Sequence, residues 1–533
     1  MTTCGEFLVK QLEAWAVDIV FGIPGVHTIE LYRGLPQTHI RHVTPRHEQA
    51  AGFMADGYAR VTGKPGVCFV ITGPGITNIL TAMGQAYADS IPMLVISSVN
   101  ERSRLGQGNG YLHELPNQRA MTEGVTAFSH TLLSVDELPA VLARAFAIFD
   151  SERPRPVHIE LPLDIITAPA GHLSVRPRVT ITRPAPSQTA IEEAAKLLSH
   201  AKAPLLLLGG GCVNAEVEVR ALASVLDAPT ALTINAKGLL PPHHPLLIGS
   251  NHSFEPVRRI AREADVVLAI GTELGETDHD IVFDKNFRIE GKLIRIDIDA
   301  QQLVRNQIPA VAIHADASSA IKALLNVLPA REYSASSPGT RRAANVRESL
   351  SVEHSGWNHF REFFNSILKA LPTARFVGDS TQPVYTGNHL VDLDGTRRWF
   401  NSTTGFGTLG YGLPAAIGAR LGDSSRPVIC LIGDGGLQFT LPELASAVEA
   451  QVGIVVLLWN NQGYEEIKRY MEQRDITPIG VDIFTPDFLA IARGFGCIAE
   501  RATDHQHLQE LLRNAPTDRP LFVEIFQANP FHP

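Results

Sequence analysis

Residues 427–439 read PVICLIGDGGLQF, and this stretch decides the fold class. An apolar run of strand length enters a glycine turn that also presents one carboxylate, Asp434. Glycine turns after buried strands bring backbone N–H groups close to phosphate, and a carboxylate at the same place favours a metal ion. The stretch therefore predicts a strand whose carboxyl end holds phosphate and metal together.

The same alternation of apolar runs and helical-period segments continues along the chain. Residues 65–75, PGVCFVITGPG, precede a helical pattern at 76–89. Such βα units are typical of parallel sheets covered by helices on both faces. Stretches poor in apolar residues at 168–188 and 329–349 indicate two linkers. We therefore expect an α/β protein with three doubly wound parallel-sheet domains, at residues 1–167, 188–328 and 350–533.

Composition argues against several classes of partner. The 533 residues carry a formal net charge of −9 without a basic block, which argues against nucleic acid or an anionic membrane. The N-terminus has charges where a secretory signal is apolar, and no apolar run is long enough to span a bilayer. The five cysteines are scattered, which indicates neither a disulfide framework nor a zinc site. We expect a cytoplasmic protein with a small-molecule ligand.

Asp434 and Asn461 are separated by 27 positions (461 − 434), and the segment between them reads as a helix and then a strand. Neighbouring parallel strands end at the same edge of a sheet, where ligands of open α/β sheets bind. An Asp carboxylate, an Asn amide oxygen and the Gly463 carbonyl suit a magnesium ion that holds a diphosphate. The alternative is that both motifs are ordinary turns, and their paired spacing favours the metal site.

This GDG to NN pair resembles the thiamine diphosphate motif of the decarboxylase and acetolactate synthase superfamily, and the likeness extends across all three domains. The resemblance implies that the first domain holds the aminopyrimidine of the cofactor and that the third holds its diphosphate through Mg²⁺. The middle domain would be a Rossmann-like remnant or a carrier of flavin or another nucleotide. The resemblance also implies at least a homodimer, usually a tetramer, with active sites at subunit interfaces.

Residues 44–63, TPRHEQAAGFMADGYARVTG, place Glu48 near the start of a helix, where the helix dipole favours a carboxylate. A lone helix glutamate is ordinarily a solvated surface residue. The segment, however, resembles the family stretch HExxAxxxADGYAR, whose glutamate bonds the pyrimidine and so promotes loss of the thiazolium C2 proton. The resemblance assigns Glu48 as the principal catalytic residue.

Several further segments resemble cofactor-binding segments of the family. Leu409 and Gly407 precede Asp434 by 25 and 27 positions (434 − 409 and 434 − 407), where related enzymes place a wedge that bends the cofactor and a carbonyl that accepts its amino hydrogen. Leu409 on its own is equally a core residue. The resemblance predicts cofactor contacts for Pro24, Thr72, Asn78, Thr381, Gln382, Gly407, Leu409, Gly433, Gly435, Gly436 and Tyr464.

The segment after the metal residues bears on the substrate. Glu465 and Glu466 lie there beside Ile467, at the lip of the expected substrate site. They are either first-turn glutamates favoured by the helix dipole or carboxylates aimed at a cationic substrate tail such as a guanidinium. Val26 is expected to line the same pocket.

Residues 111–118, YLHELPNQ, offer three groups for proton transfer, His113, Glu114 and Gln118. Gln118 matches a family glutamine beside the thiazolium. A loop histidine is either solvated or a proton-transfer group.

Four segments read MTTCGEFLVKQLE at 1–13, FGIPGVHTIELYRG at 21–34, LHELPNQRAM at 112–121 and NNQGYEEIKRYM at 460–471. With them the sequence as a whole resembles the 5-guanidino-2-oxopentanoate (2-ketoarginine) decarboxylases of arginine catabolism, which implies non-oxidative release of CO₂ and 4-guanidinobutanal. Flavin-carrying acetolactate synthases have an arginine-containing stretch where this chain reads GTELGETDHDIVFD, at 271–284, so tight FAD binding is not expected. An acetolactate synthase-type ligase or oxidase stays open as an alternative. So does a non-catalytic nucleotide-binding protein, in which the glycines at 209–211 would cradle a phosphate.

Overall fold

Three six-stranded sheets of parallel strands organise the protein. The structure is a computed structural model that describes residues 2–279, 287–329, 334 and 336–527. It confirms the predicted α/β class with three parallel sheets flanked by helices.

The first sheet lies within residues 19–162. Its strands are β1 Ile19–Gly22, β2 Arg41–Val43, β3 Gly66–Val70, β4 Met93–Val99, β5 Phe128–Thr131 and β6 Val157–Pro162. Their order is β2-β1-β3-β4-β6-β5. The helices are α1 Cys4–Ala14, α2 Ile29–Gly34, α3 Glu48–Thr62, α4 Pro74–Asp89, α5 Gln118–Glu123, α6 Leu138–Ser151 and α7 Leu163–Ile166. Strand β3 is buried along its whole length, because helices cover both faces of a parallel sheet.

The middle sheet lies within residues 205–314. Its strands are β7 Leu205–Leu208, β8 Thr230–Leu232, β9 Leu247–Gly249, β10 Val266–Ile270, β11 Lys292–Asp297 and β12 Val311–His314, in the order β12-β11-β10-β7-β8-β9. The accompanying helices are α8 Gln188–His200, α9 Glu216–Leu226, α10 Glu255–Glu263, α11 Glu276–His279 and α12 Ala317–Val327.

The third sheet has the strands β13 Arg375–Gly378, β14 Trp399–Asn401, β15 Val428–Gly433, β16 Val455–Asn460, β17 Ile498–Arg501 and β18 Leu521–Phe526. Five of them follow the order β13-β15-β16-β18-β17. The helices of this part of the chain are α13 Pro338–Glu353, α14 Asn358–Ala370, α15 Gln382–Leu390, α16 Gly412–Gly422, α17 Asp434–Leu437, α18 Glu443–Glu449, α19 Glu465–Glu472, α20 Phe488–Gly494 and α21 His505–Arg513.

The two expected linkers differ in structure. Residues 170–187 carry no helix or strand, as predicted, but α13 occupies much of the predicted linker at 329–349. Ala343, Val346 and Leu350 are buried along one face of this helix, and their spacing of three and four residues is the helical period. Many polar residues lie between them, so the overall composition of the segment did not indicate a helix.

The chain forms two compact units. One comprises the residues up to 181, residues 370–382 and the residues from 405 onward, and the other comprises residues 182–369 and 383–404. Within the first unit, α3 and α16 pack backbone against backbone. A Cβ atom on Gly57 would lie 2.0 Å from the Ala415 carbonyl oxygen, and one on Gly418 would lie 1.9 Å from that of Met54. Only glycine allows this approach.

All five cysteines are free and buried. Burial raises the pKa of the Cys4 thiol to about 12 and that of the Cys497 thiol to about 11. In the part of the chain that the structure describes, every helix is too short or too polar to cross a membrane.

Candidate active site

The residues predicted to bind metal meet at the carboxyl edge of the third sheet. Strands β15 and β16 run in parallel with Gly433 opposite Trp459, so Asp434 and Asn461 follow neighbouring strand ends. One amide terminus of Asn461 lies 3.0 Å from Asp434 Oδ1 and 2.9 Å from the Gly463 carbonyl oxygen. If this terminus is the amide nitrogen, it donates to both oxygens. If the amide is turned so that the terminus is the oxygen, the three oxygens form a cluster that a cation would hold together.

The distances in this cluster fit a magnesium ion. Octahedral Mg²⁺ binds oxygens at about 2.1 Å, which places adjacent ligand oxygens about 3 Å apart. Asp434 is 1% exposed, and its Oδ2 atom has no hydrogen-bond partner among the described residues. Burial raises the pKa of this carboxyl, and the backbone N–H groups of Asn461 and Gly463 partly offset the effect. A bound cation would supply the missing charge.

The glycines of the turn let neighbouring side chains pack closely against its backbone. A Cβ atom on Gly435 would lie 2.6 Å from the ring of Tyr464, and one on Gly433 would lie 3.1 Å from Thr381 Oγ1. A Cβ atom on Gly436 would lie 2.8 Å from Asp379 Oδ1. The structure therefore brings Tyr464 and Thr381 to the glycine turn. Gln382 follows directly as the first residue of α15 and is half-buried.

Asp379 is a residue of this edge that the sequence analysis did not single out. It is fully buried and accepts the backbone N–H groups of Ser380 and Gly412, each at 2.9 Å. Burial raises its pKa to about 6 against these donors. Because Gly412 begins α16, Asp379 ties that helix to the turn after β13. The sequence could have indicated Asp379 through its position in the GDSTQ stretch at 378–382, directly after a strand and before a serine.

A second group of predicted residues lies at the carboxyl edge of the first sheet. Glu48 follows β2, Pro24 and Val26 follow β1, Thr72 follows β3, and these three strands are neighbours. Pro24 is exposed, and Val26 is 62% exposed. These loops therefore open at one edge of the sheet.

Glu48 is the first residue of α3, and it is half-buried rather than fully solvated. Its Oε2 atom accepts a hydrogen bond of 2.9 Å from Asn78 Nδ2. The preceding residue, His47, caps the helix by accepting the Gln49 N–H. Asn78 thus orients the carboxylate, while part of the Glu48 side chain stays accessible.

Gln118, which the resemblance predicts to lie beside the thiazolium, is a buried residue. It is 3% exposed, and its amide oxygen accepts the Gly73 N–H at 2.9 Å. Its amide nitrogen lies 2.9 Å from the Ser98 carbonyl oxygen and 3.0 Å from Glu160 Oε2. The Gln118 side chain therefore holds the turn at 72–75, which reads TGPG, through the Gly73 N–H. Its contact with the cofactor stays a prediction.

His113 lies near a histidine that the sequence analysis missed. Its ring is 5.2 Å from that of His27 in an edge-to-face arrangement, and His27 Nδ1 lies 3.1 Å from Thr72 Oγ1. Burial, and then His113, lower the pKa of His27. His113 has a φ of +60°, and its carbonyl oxygen would lie 2.6 Å from a Cβ atom on Gly73. A histidine in the left-handed region is uncommon and marks a constrained position. The sequence could have indicated His27 because it directly follows Val26, which was predicted to line the substrate pocket.

Glu114 holds the loop that carries His113. Its carboxylate accepts the backbone N–H groups of Gly108 and Gly110 at 2.8 Å and that of Tyr111 at 3.0 Å. Desolvation raises the pKa of Glu114, but these donors lower it by more, so the net shift is downward. Its catalytic role stays a prediction, and the structure gives it a role in shaping the loop.

The loop before α16 is held at both ends. Gly407 has a φ of +76°, which favours glycine. Thr408 Oγ1 donates to Gln85 Oε1 at 3.0 Å, and the Tyr411 hydroxyl donates to Asp56 at 2.5 Å. Leu409 lies between these anchors and is half-buried. It is therefore not a full core residue.

The acids at the predicted lip lie in the first turn of α19. Glu466 forms an ion pair with Arg469 of the same helix. Within the described chain, Glu465 forms no hydrogen bond or ion pair. Ile467 is 52% exposed. Both the helix-dipole interpretation and the substrate interpretation are compatible with these positions.

The glycines at 209–211 do not form an open phosphate cradle. Gly209 N–H donates to the Ile270 carbonyl at 2.9 Å, and Gly211 N–H donates to that of Gly271 at 3.1 Å. A Cβ atom on Gly209 would lie 2.1 Å from the Gly271 oxygen. Two of the three backbone N–H donors of this turn are therefore used within the fold. Of the stretch compared with flavin-carrying enzymes, residues 280–284 lie outside the described residues.

Three family models match the chain. They describe the N-terminal TPP binding domain, the central domain and the C-terminal TPP binding domain of thiamine pyrophosphate enzymes, and they match residues 2–121, 191–324 and 379–525.

Two curated proteins illustrate the similarity over the whole chain. The probable 2-ketoarginine decarboxylase AruI of Pseudomonas aeruginosa is 48% identical, with 96% of this chain and 91% of that protein covered. The acetolactate synthase isozyme 1 large subunit of Escherichia coli K12 is 34% identical, with 98% and 94% covered. These similarities confirm the resemblance predicted from the GDG to NN pair and from the segment around Glu48.

Proposed function

The chain belongs to the thiamine pyrophosphate enzyme family, and on that premise we propose that it decarboxylates 5-guanidino-2-oxopentanoate to 4-guanidinobutanal in arginine catabolism. The observation that carries the proposal is the 48% identity to a probable 2-ketoarginine decarboxylase over nearly the whole chain. The reaction breaks the bond between the carbonyl carbon and the carboxylate, releases CO₂ and places one proton on the remaining carbon.

The cofactor site follows from the two sheet edges. Asp434, Asn461 and the Gly463 carbonyl would hold Mg²⁺, and Glu48 would hold a proton at the aminopyrimidine. Bound thiamine diphosphate supplies an electron sink for the carbon that loses CO₂. Asn78 keeps the Glu48 carboxylate oriented through its 2.9 Å hydrogen bond, and a half-buried site strengthens that interaction by excluding water. We propose no flavin, and purified protein should lack flavin absorbance.

The substrate's cationic tail is matched by the acids of α19. Glu466 pairs with the Arg469 guanidinium of its own helix, so a substrate guanidinium would have to take the place of that partner. Glu465 adds a second negative charge beside it. Charge-assisted pairs between guanidinium and carboxylate groups are strong and directional. We therefore assign substrate selection to Glu465 and Glu466.

Oxo acids that differ in their tails test the substrate. Protein loaded with thiamine diphosphate and Mg²⁺ is incubated with 5-guanidino-2-oxopentanoate, phenylpyruvate and pyruvate, and CO₂ and aldehyde are measured. We expect the highest kcat/KM for the guanidino acid and equal amounts of CO₂ and aldehyde. Less aldehyde than CO₂, with a coupled product from pyruvate, would instead indicate an acetolactate synthase-type ligase.

Variants separate the roles of the acids. Glu466→Ala should lower kcat/KM for the guanidino acid about tenfold or more, as expected for the loss of a charge-assisted pair, and should leave phenylpyruvate turnover unchanged. Glu472→Ala, an exposed acid on the same helix, is the matched control. Glu48→Gln should keep the fold and bind cofactor but lose most turnover. Equal effects of Glu466→Ala on cationic and neutral acids would refute the guanidino assignment.

The proposed assembly is at least a homodimer, with a tetramer expected. Large apolar side chains of the first unit are exposed, among them Val26 at 62%, Leu112 at 60%, Phe439 at 55% and Phe484 at 84%. Burial of these groups against a second chain would be favourable, because it removes apolar surface from water. Light scattering during size-exclusion chromatography measures the mass, and a monomer at micromolar concentration would contradict the proposal.

A further inference from the structure

Glu443 is a buried acid to which the proposed chemistry gives no role. It lies in α18 and is 1% exposed. Its carboxylate accepts the Arg46 backbone N–H at 2.9 Å on one oxygen and 3.2 Å on the other. It also accepts the Ser446 hydroxyl at 2.7 Å. A fully buried carboxylate is costly, so its place against a backbone turn calls for an explanation.

The turn that Glu443 holds is the one that leads into α3. Arg46 lies between β2 and α3, two residues before Glu48. The Arg46 guanidinium forms an ion pair with Glu449, also on α18. The turn is thus fixed to α18 through both its backbone and its side chain. Because Glu48 is the first residue of α3, the position of this turn determines the position of the Glu48 backbone and therefore of its carboxylate.

We propose that Glu443 is a positioning residue for the reaction: its carboxylate fixes the turn that places Glu48, and this hold weakens when the carboxylate takes up a proton. The inference rests on the proposed role of Glu48. A protonated carboxyl group has a hydrogen that itself needs an acceptor, and it offers less negative charge to the Arg46 N–H. Loosening of this turn would therefore move the catalytic carboxylate without unfolding the helix.

Two opposing effects set the protonation of Glu443 near neutral pH. Burial favours the neutral form, while the Ser446 hydroxyl, the Arg46 N–H and charge, and the His47 N–H favour the ionised form. Together they raise the pKa of Glu443 to about 7. The charged or titratable groups around it are Arg46, Glu449, which Arg46 pairs, His47, which caps α3, and Arg41, whose guanidinium donates to the Ala450 carbonyl.

The pH dependence of turnover tests the proposal. Wild-type kcat should fall below pH 7 with the uptake of one proton at Glu443. Glu443→Gln keeps an oxygen acceptor but cannot ionise, so this step should disappear. Its kcat above pH 7 should be roughly tenfold lower, as a small misplacement of a catalytic group predicts, with KM changed less than kcat. Glu472→Gln, which alters an exposed acid of α19 outside this turn, should keep the wild-type profile. An unchanged midpoint in Glu443→Gln would overturn the proposal.

Thermal unfolding of the cofactor-free protein gives a readout that needs no activity. The folded pKa of about 7 lies above the ordinary value of 4.5. The contribution of Glu443 to stability is therefore fully present below pH 4.5 and is lost as pH rises through 7. The melting temperature of the wild type should fall relative to that of Glu443→Gln between pH 6 and pH 8. Parallel curves would overturn the assignment.

A second variant keeps the test decisive if Glu443→Gln does not fold. Ser446→Ala removes a donor that favours the ionised form, so the midpoint in the kcat profile and in the unfolding profile should move to higher pH. A midpoint that stays in place would overturn the proposal. Wild-type protein that decarboxylates no 2-oxo acid would instead refute the proposed function, and the unfolding measurements would still report on Glu443.

Discussion

Replacing Asn461 with aspartate would place two carboxylates against each other at the carboxyl edge of the third sheet. The amide terminus of Asn461 lies 3.0 Å from Asp434 Oδ1. Two unit charges at this distance repel by about 5 kcal/mol at an effective dielectric constant near 20. Protonating one carboxyl at pH 7 costs about 4 kcal/mol. Protonation costs less than the repulsion, so one of the two carboxyls takes up a proton in the folded protein. We therefore expect Asn461→Asp to lower the free energy of unfolding of the metal-free protein by about 4 kcal/mol.

The sign of the pH dependence follows from the shared proton. The paired carboxyl has a pKa that is higher in the folded than in the unfolded protein, so its contribution to stability is present at low pH and is lost as pH rises. Between pH 7 and pH 4 the penalty should therefore shrink by about 1.4 kcal/mol per pH unit.

Urea unfolding with and without magnesium measures the effect. A cation between the carboxylates removes their repulsion, so saturating Mg²⁺ should stabilise Asn461→Asp more than the wild type. Gln462→Glu is the matched control, because it adds the same charge at an exposed neighbouring position and should change stability by less than about 0.5 kcal/mol. An equal gain from Mg²⁺ in Asn461→Asp and Gln462→Glu would refute the metal assignment.

Three further predictions follow from buried or constrained groups. Glu114→Gln should speed amide hydrogen exchange of the loop at 108–111 and lower kcat/KM, because that carboxylate accepts three N–H groups there; unchanged exchange would contradict it. Tyr411→Phe should cost about 1–3 kcal/mol of unfolding free energy in denaturant, because Asp56 loses a buried donor; an unchanged value would contradict it. Burial lowers the pKa of His389 to about 4, so its neutral ring stabilises the protein above pH 6.5 and this contribution is lost as pH falls towards 4; His389→Gln should therefore reduce the loss of melting temperature between pH 7 and pH 5, and an equal loss would contradict it.

The proximity of Asp434 and Asn461 could be predicted from the sequence because its geometry is local. Asp434 and Asn461 each follow a buried strand, and two consecutive strands of a βα unit are usually neighbours. Glu48, Thr72 and Val26 were predicted as site residues from the resemblance to the family, and the structure places all three after neighbouring strands of the first sheet. In each case the relevant signal lies within a few residues of the strand end.

The supporting roles of several residues could not be predicted in this way. Glu443 and Arg46 are 397 positions apart, and no local pattern relates them. Asp379 and Gln118 act by binding backbone N–H groups of other turns, and such pairings exist only once the chain has folded. The role of Glu114 was unpredictable for a different reason, since it depends on the path of a glycine-rich loop rather than on the type of side chain.

The burial of all five cysteines has a practical consequence for experiments on this protein. A thiol reacts as the thiolate, and burial disfavours that form, so the native cysteines should be slow to alkylate. A cysteine introduced at Val26, a 62% exposed position beside His27, would then be the most reactive thiol of the folded chain. Its labelling rate would report directly on how far the mouth of the site is covered when cofactor or another subunit binds, without removal of any native cysteine.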